Sequence, residues 1–234
     1  AGRYMLLAPG VLVAKLRPGD GAQTLSIGNG RNAFNLMRQS HVTLTGLDFR
    51  NFAGSRESRR EGIPVAAWHD GATGIEVSGN RFGPGLLEHG QGVVQVQGTV
   101  GLLLKANRIE NVMMASGLRT AGVNRSMRIE GNVIRRIGRT GLTLFSVDGA
   151  EVRGNMLFDI RGIHGNGITA YLKNRDLLIE GNCVVMSSRP LTFHGNREPG
   201  VRNGITIRGN IFVTDPDGQG GVLSWGAGTT DVVI

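Results

Sequence analysis

The residues best suited to chemistry fall late in the chain. Tyr171, Lys173, His194 and Arg197 bring a phenol, an amine, an imidazole and a guanidinium into one stretch. Any of these groups can give or take a proton if its pKa is moved toward neutrality, and the Lys or Arg also suits a carboxylate. The segments around them add similar groups. Arg161, His164 and Asn166 lie before Tyr171, while Asn196, Glu198 and Arg202 follow His194. Phe145, Tyr171, His194 and Trp225 recur at wide intervals, and stacked ring faces can hold sugars. Trp68, His69 and Asp70 make a smaller second cluster.

Carboxylates are poorly placed for a role of their own. Hydrolysis of a glycosidic bond needs two carboxyl groups facing it. Asp70, Asp148, Asp159, Asp176, Glu198 and Asp217 include no two at matching positions. Nor does any acidic cluster suit calcium. The sequence calls for no metal and no other cofactor.

The elements that must position these groups are announced by a repeat. An alternating strand, a small residue, an Asn and an apolar residue two later recur around Asn80, Asn107, Asn132, Asn155, Asn182 and Asn210. The copies read Ile75-Glu-Val-Ser-Gly-Asn80, Leu102-Leu-Leu-Lys-Ala-Asn107, Met127-Arg-Ile-Glu-Gly-Asn132 and onward to Ile205-Thr-Ile-Arg-Gly-Asn210. Separations of 27, 25, 23, 27 and 28 residues, with a period of two inside each unit, describe coils of short strands. An earlier copy carries Leu47 in place of Asn. Val77, Leu104, Ile129, Val152, Ile179 and Ile207 then form an inward column. The small residue and the Asn form a bend that often needs left-handed backbone. Stacked asparagines can bond rung to rung, so they are structural. The outward column Ser78, Lys105, Glu130, Arg153, Glu180, Arg208 alternates in sign from Lys105 onward, which supports the same register.

A second strand precedes each Asn motif, opening with Gly or Pro and a branched apolar residue, as in Gly141-Leu-Thr-Leu-Phe145 and Gly167-Ile-Thr-Ala-Tyr171. Counting four from the Gly or Pro gives one column of Ala66, Val96, Ala121, Phe145, Tyr171, His194 and Trp225. Phe193 then points inward. The loops vary in length while the Asn motifs do not, so the loops carry function. The expectation is an all-β, right-handed parallel β-helix of about eight coils. Residues 1–40 form an irregular first coil or an N-terminal cap. Residues 41–234 form one continuous repeat domain, and the strand-like ending at Ile234 suggests truncation there.

Composition agrees with this and narrows the partner. Hydrophobic residues make up 40 % of the chain, enough for a long core, and no apolar run is long enough to span a membrane. The single cysteine, Cys183, excludes an internal disulfide and reads as a wall residue. The net charge of +8 comes almost wholly from arginine, whose planar fork suits anionic groups. Because the arginines are spread along the chain, an acidic polysaccharide fits better than nucleic acid. Oligomeric state is not legible.

The Gly-Asn repeats over residues 30–234, with residues 2–10 and 40–49, resemble the pectin-lyase-like superfamily of right-handed parallel β-helix proteins. Its members include polysaccharide lyases, glycoside hydrolases, uronate epimerases and tailspikes. The resemblance implies a substrate groove along one sheet and a secreted, periplasmic or cell-surface location. Under it, β-elimination or C5 epimerisation of a uronate polymer becomes the expected reaction. Tyr171, Lys173, His194 and Arg197 are its catalytic groups. Phe145, His164, Asn166, Asn196, Arg202 and Trp225 would bind substrate. The alternative is a non-catalytic carbohydrate-binding, adhesin or tailspike-like solenoid, for which the aromatics and arginines suffice.

Overall fold

The computed structural model describes residues 3–8, 11–15, 24–26, 32–54, 61–67, 72–194, 203–217, 221, 223–225 and 232–234. They contain no helix. Apart from an antiparallel hairpin of Arg3–Ala8 with Val11–Lys15, the strands form three parallel sheets. Sheet 1 stacks Phe34–Asn35, Val65–Ala67, Gly92–Gln97, Ser116–Ala121, Leu142–Phe145, Asn166–Tyr171, Arg189–His194 and Leu223–Trp225. Sheet 2 holds the strands of the Asn motif, from Thr43–Thr45 through Asn124–Glu130 to Val232–Val233. Sheet 3 begins just after each Asn and runs from Thr24–Ser26 through Arg108–Met113 to Ile211–Thr214. The chain is therefore a parallel β-solenoid. Its complete turns number slightly fewer than the expected eight, because the first and last coils contribute only part of a turn. Thr24–Ser26 and Phe34–Asn35 already pair with later rungs, so solenoid register begins before residue 41.

The apolar residue two after each Asn belongs to the third sheet. Phe82, Ile109, Ile134, Leu157, Val184 and Phe212 pair rung to rung there, and the first five are fully buried. Facing them from sheet 2 are Val77, Leu104, Ile129, Val152 and Ile179, also fully buried. Burial of such columns at roughly 25 cal/mol per Å2 of apolar surface supplies the main stabilisation of the stack.

The six asparagines share one corner. Each backbone N–H and side-chain Nδ2 of Asn107 donates to Oδ1 of Asn132 at 3.0 Å, and Asn107 Nδ2 also donates to the Val77 carbonyl at 2.7 Å. The pattern repeats from Asn80 to Asn210. It starts at Leu47, whose N–H donates to Asn80 Oδ1 but whose side chain offers no acceptor. The residue before each Asn is left-handed: Gly79, Gly131, Gly154, Gly181 and Gly209 have φ near +60°, and Ala106 takes the same conformation at +52°. The alternating charge column is also in register. Glu180 is met by Arg208 at 2.6 Å and Arg153 at 3.4 Å, while Glu130 is approached by Arg128 of its own strand at 3.9 Å.

Candidate functional site: the outer face of sheet 1

Sheet 1 presents two outward columns. One is Ala66, Gln95, Arg119, Thr143, Thr169 and Thr192. The other contains Phe145 and Tyr171 on successive rungs. Between these columns, Leu144, Ala170 and Phe193 point into the core and are at most 1 % exposed.

Counting from the glycine misplaces two members of the expected column. After Gly117, Gly141 and Gly167 the core residue of the rung follows the Gly directly. After Gly92 it comes one residue later, at Val94. Val96 therefore pairs with Ala67 and Thr120, in the core-facing register. Ala66 pairs with Gln95, in the other outward column. Phe145 and Tyr171 keep their common outward position.

The floor of this face is polar and tightly covered. Gln95, Thr143, Thr169 and Thr192 point outward yet are at most 4 % exposed. Ser116 Oγ and Thr143 Oγ1 lie 3.0 Å apart. Asn166 is buried at the strand start and donates from Nδ2 to Thr169 Oγ1 at 3.1 Å.

Aromatic rings rise beside that floor. The Phe145 and Tyr171 centroids are 5.5 Å apart at 47°, and the Arg119 guanidinium sits 4.7 Å from the Phe145 centroid. Tyr171 is half-buried. Burial pushes its phenol above the ordinary value of 10, and the positive charges of Arg189 and Arg139 pull against that rise. The phenol therefore keeps its proton at neutral pH, with two guanidinium groups close enough to act on it.

The end of the Tyr171 strand is fixed by buried asparagines at a second corner. Asn174 donates from Nδ2 to the Tyr171 carbonyl at 2.7 Å and accepts the Val147 N–H at 2.9 Å. Asn203 donates to the Asn174 carbonyl, and Asn124 accepts the Thr99 N–H. Between Tyr171 and Asn174 the chain turns through Leu172 in left-handed backbone (φ +64°). The strand alternation that would carry Lys173 onto the Tyr171 face stops there, so Lys173 stands exposed on the corner.

On the opposite edge of the sheet, His164 occupies an exposed loop with φ +57°. Thr140 Oγ1 donates to its carbonyl at 2.9 Å. Its ring stacks at 6.5 Å and 21° on His89, and Arg139 Nη1 lies 2.6 and 2.9 Å from the two His89 ring nitrogens. His89, Arg119, Arg139 and Arg189 were invisible as site residues in the sequence. Only Arg119 had a signal, as the outward residue between two core positions of a second strand. His194 is aligned with Tyr171 on the next rung. The side chains of His194 and Trp225, and Asn196, Arg197, Glu198, Arg202 and the Trp68–Asp70 cluster, lie outside the described residues.

The described residues include no helix long and apolar enough to cross a membrane. No family model matches the chain. No curated protein matches it either. Among solved structures it is similar to the crystal structure of alginate lyase from Paenibacillus sp. str. FPU-7, at 13 % identity and a TM-score of 0.29, over 88 % of this chain and 94 % of that one.

Proposed function

We propose that this solenoid is a carbohydrate-active protein of the pectin-lyase-like type, working outside the cytoplasm on an acidic polysaccharide by β-elimination or C5 epimerisation. One observation carries the reading: a half-buried, protonated Tyr171 stands on the outer face of one sheet against Phe145, under the positive charge of Arg189 and Arg139. A uronate entering this face meets cations that neutralise its carboxylate and make the C5 proton removable. His194, aligned with Tyr171 one rung on, takes that proton. Tyr171 passes its own proton to the leaving O4 as the C4–O4 bond breaks and the C4–C5 double bond forms. Arg197 supports the carboxylate. In epimerisation the same groups return a proton to the opposite face of C5.

The test is incubation with alginate, pectate and glycosaminoglycans, read by the ultraviolet absorbance of unsaturated ends and by the uronate composition of the polymer. Tyr171→Phe removes the donated proton and is expected to lower turnover at least about 100-fold, within the range of general acid catalysis. Unchanged turnover in this variant and in His194→Ala overturns the assignment. Binding without any product by the unmodified protein supports the non-catalytic reading, for which the Phe145–Tyr171 pair and the arginines suffice.

A further inference from the structure

The stacked rungs explain nearly every contact on sheet 1 except one. His89 precedes the strand Gly92–Gln97, Arg139 precedes Leu142–Phe145 two rungs later, and His164 precedes Asn166–Tyr171 one rung beyond that. Residues three rungs apart in a straight stack stand about 14 Å apart. The two imidazoles are only 6.5 Å apart, with Arg139 against His89. The side chains of these loops therefore reach along the solenoid axis toward one another.

Each member is held from below. Gln91 accepts the Glu88 N–H at 2.7 Å and donates to the Glu61 carbonyl at 2.8 Å, which fixes the base of the His89 loop. His164 is fixed by Thr140 and by a left-handed backbone that non-glycine residues adopt only when their surroundings impose it. The charge of Arg139 also reaches Tyr171. Three nitrogen-rich side chains from three separate coils thus meet at the lip opposite Lys173.

We infer that His89, Arg139 and His164 form a subsite for an anionic group, carboxylate or sulfate ester, on a sugar unit lying across the lip of sheet 1. This rests on the reading of sheet 1 as a polysaccharide groove. Arg139 supplies the charge and the fork of donors, His89 fixes the guanidinium, and His164 closes the far side with a ring N–H. Recognition here is separate from the proton transfers assigned to Tyr171.

The test is calorimetric binding of polymannuronate, chondroitin sulfate and dextran to the unmodified protein, Arg139→Ala and His164→Ala, each checked for an unchanged melting temperature. The unmodified protein is expected to bind the anionic polymers and not dextran. Arg139→Ala should weaken that binding at least tenfold and His164→Ala at least threefold. Tighter binding of polymannuronate assigns the carboxylate, and tighter binding of chondroitin sulfate assigns the sulfate ester. If Arg139→Ala does not fold, His164→Ala in its exposed loop decides alone. Undiminished binding by the folded variants, equal binding of dextran, or no binding of either anionic polymer overturns the subsite. Loss of binding in Arg139→Ala with no unsaturated or epimerised product from any polymer keeps the subsite and removes the catalytic reading.

Discussion

Glu110→Gln is expected to destabilise the solenoid strongly at neutral pH and weakly in acid. Glu110 lies on the outer face of sheet 3, 8 % exposed, with Arg135 as its partner on the next rung. Arg108 Nε donates to one carboxylate oxygen at 2.8 Å and Arg135 Nε to the other at 2.5 Å. Arg136 and Arg81 stand at 3.6 and 3.7 Å. The hydrogen bond from Arg108 leads in lowering the carboxyl pKa from 4.5 to about 2; burial opposes the drop and Arg135 adds to it. Such a drop corresponds to about 3 kcal/mol of stability at neutral pH. Solvent around the half-exposed guanidinium groups screens part of it, leaving about 2 kcal/mol. Because the folded-state pKa is depressed, the contribution is complete above pH 4.5 and is lost as pH falls toward 2; at pH 3 less than half remains, roughly 1 kcal/mol. Gln keeps the shape and one acceptor but removes the charge. Urea unfolding followed by circular dichroism at pH 7 and pH 3 should give a loss of about 2 kcal/mol at the first and about 1 kcal/mol or less at the second. An equal loss at both values would refute the electrostatic account and point to packing alone.

Two further predictions concern the Asn corner. Asn132→Ala takes away the acceptor for the buried Asn107 N–H and Nδ2, and the donor to the Leu104 carbonyl and Asn155 Oδ1. It should cost about 2–4 kcal/mol in urea unfolding, whereas Asn210→Ala, at the partly exposed end of the described ladder, should cost about 1 kcal/mol or less. Equal costs would mean that the ladder is not the source. Ala106→Gly relieves the left-handed alanine and should raise stability by about 0.5–1 kcal/mol after the extra entropy of the unfolded glycine is counted, with a lowered melting temperature as the contrary result.

The strands of sheet 2 were legible because each has a period-two core, a small corner residue and an Asn that only a stacked neighbour can satisfy. Sheet 3 was less so. Its strands begin directly after the Asn, so the inward residue two later looks like the tail of one motif. Sheet 1 was read with a slip at Ala66 and Val96, since a Gly marks a nearby corner without fixing how many residues separate it from the core. The candidate site divides along the same line. Phe145 and Tyr171 could be found, since position within a strand decides which way a side chain points. The burial of Asn166 and its hydrogen bond to Thr169, three residues on in the same strand, could not.

By itself the sequence determined the winding: which residues face inward, where the chain bends, and that successive coils stack in register, because hydrophobic period and Asn spacing are local properties. The reach of the side chains that brings His89 onto His164, across 75 residues, was decided only by tertiary structure. Local pattern sets the direction of a side chain relative to its own strand. The distance between two loops depends on how the intervening coils are packed, and neither loop encodes that.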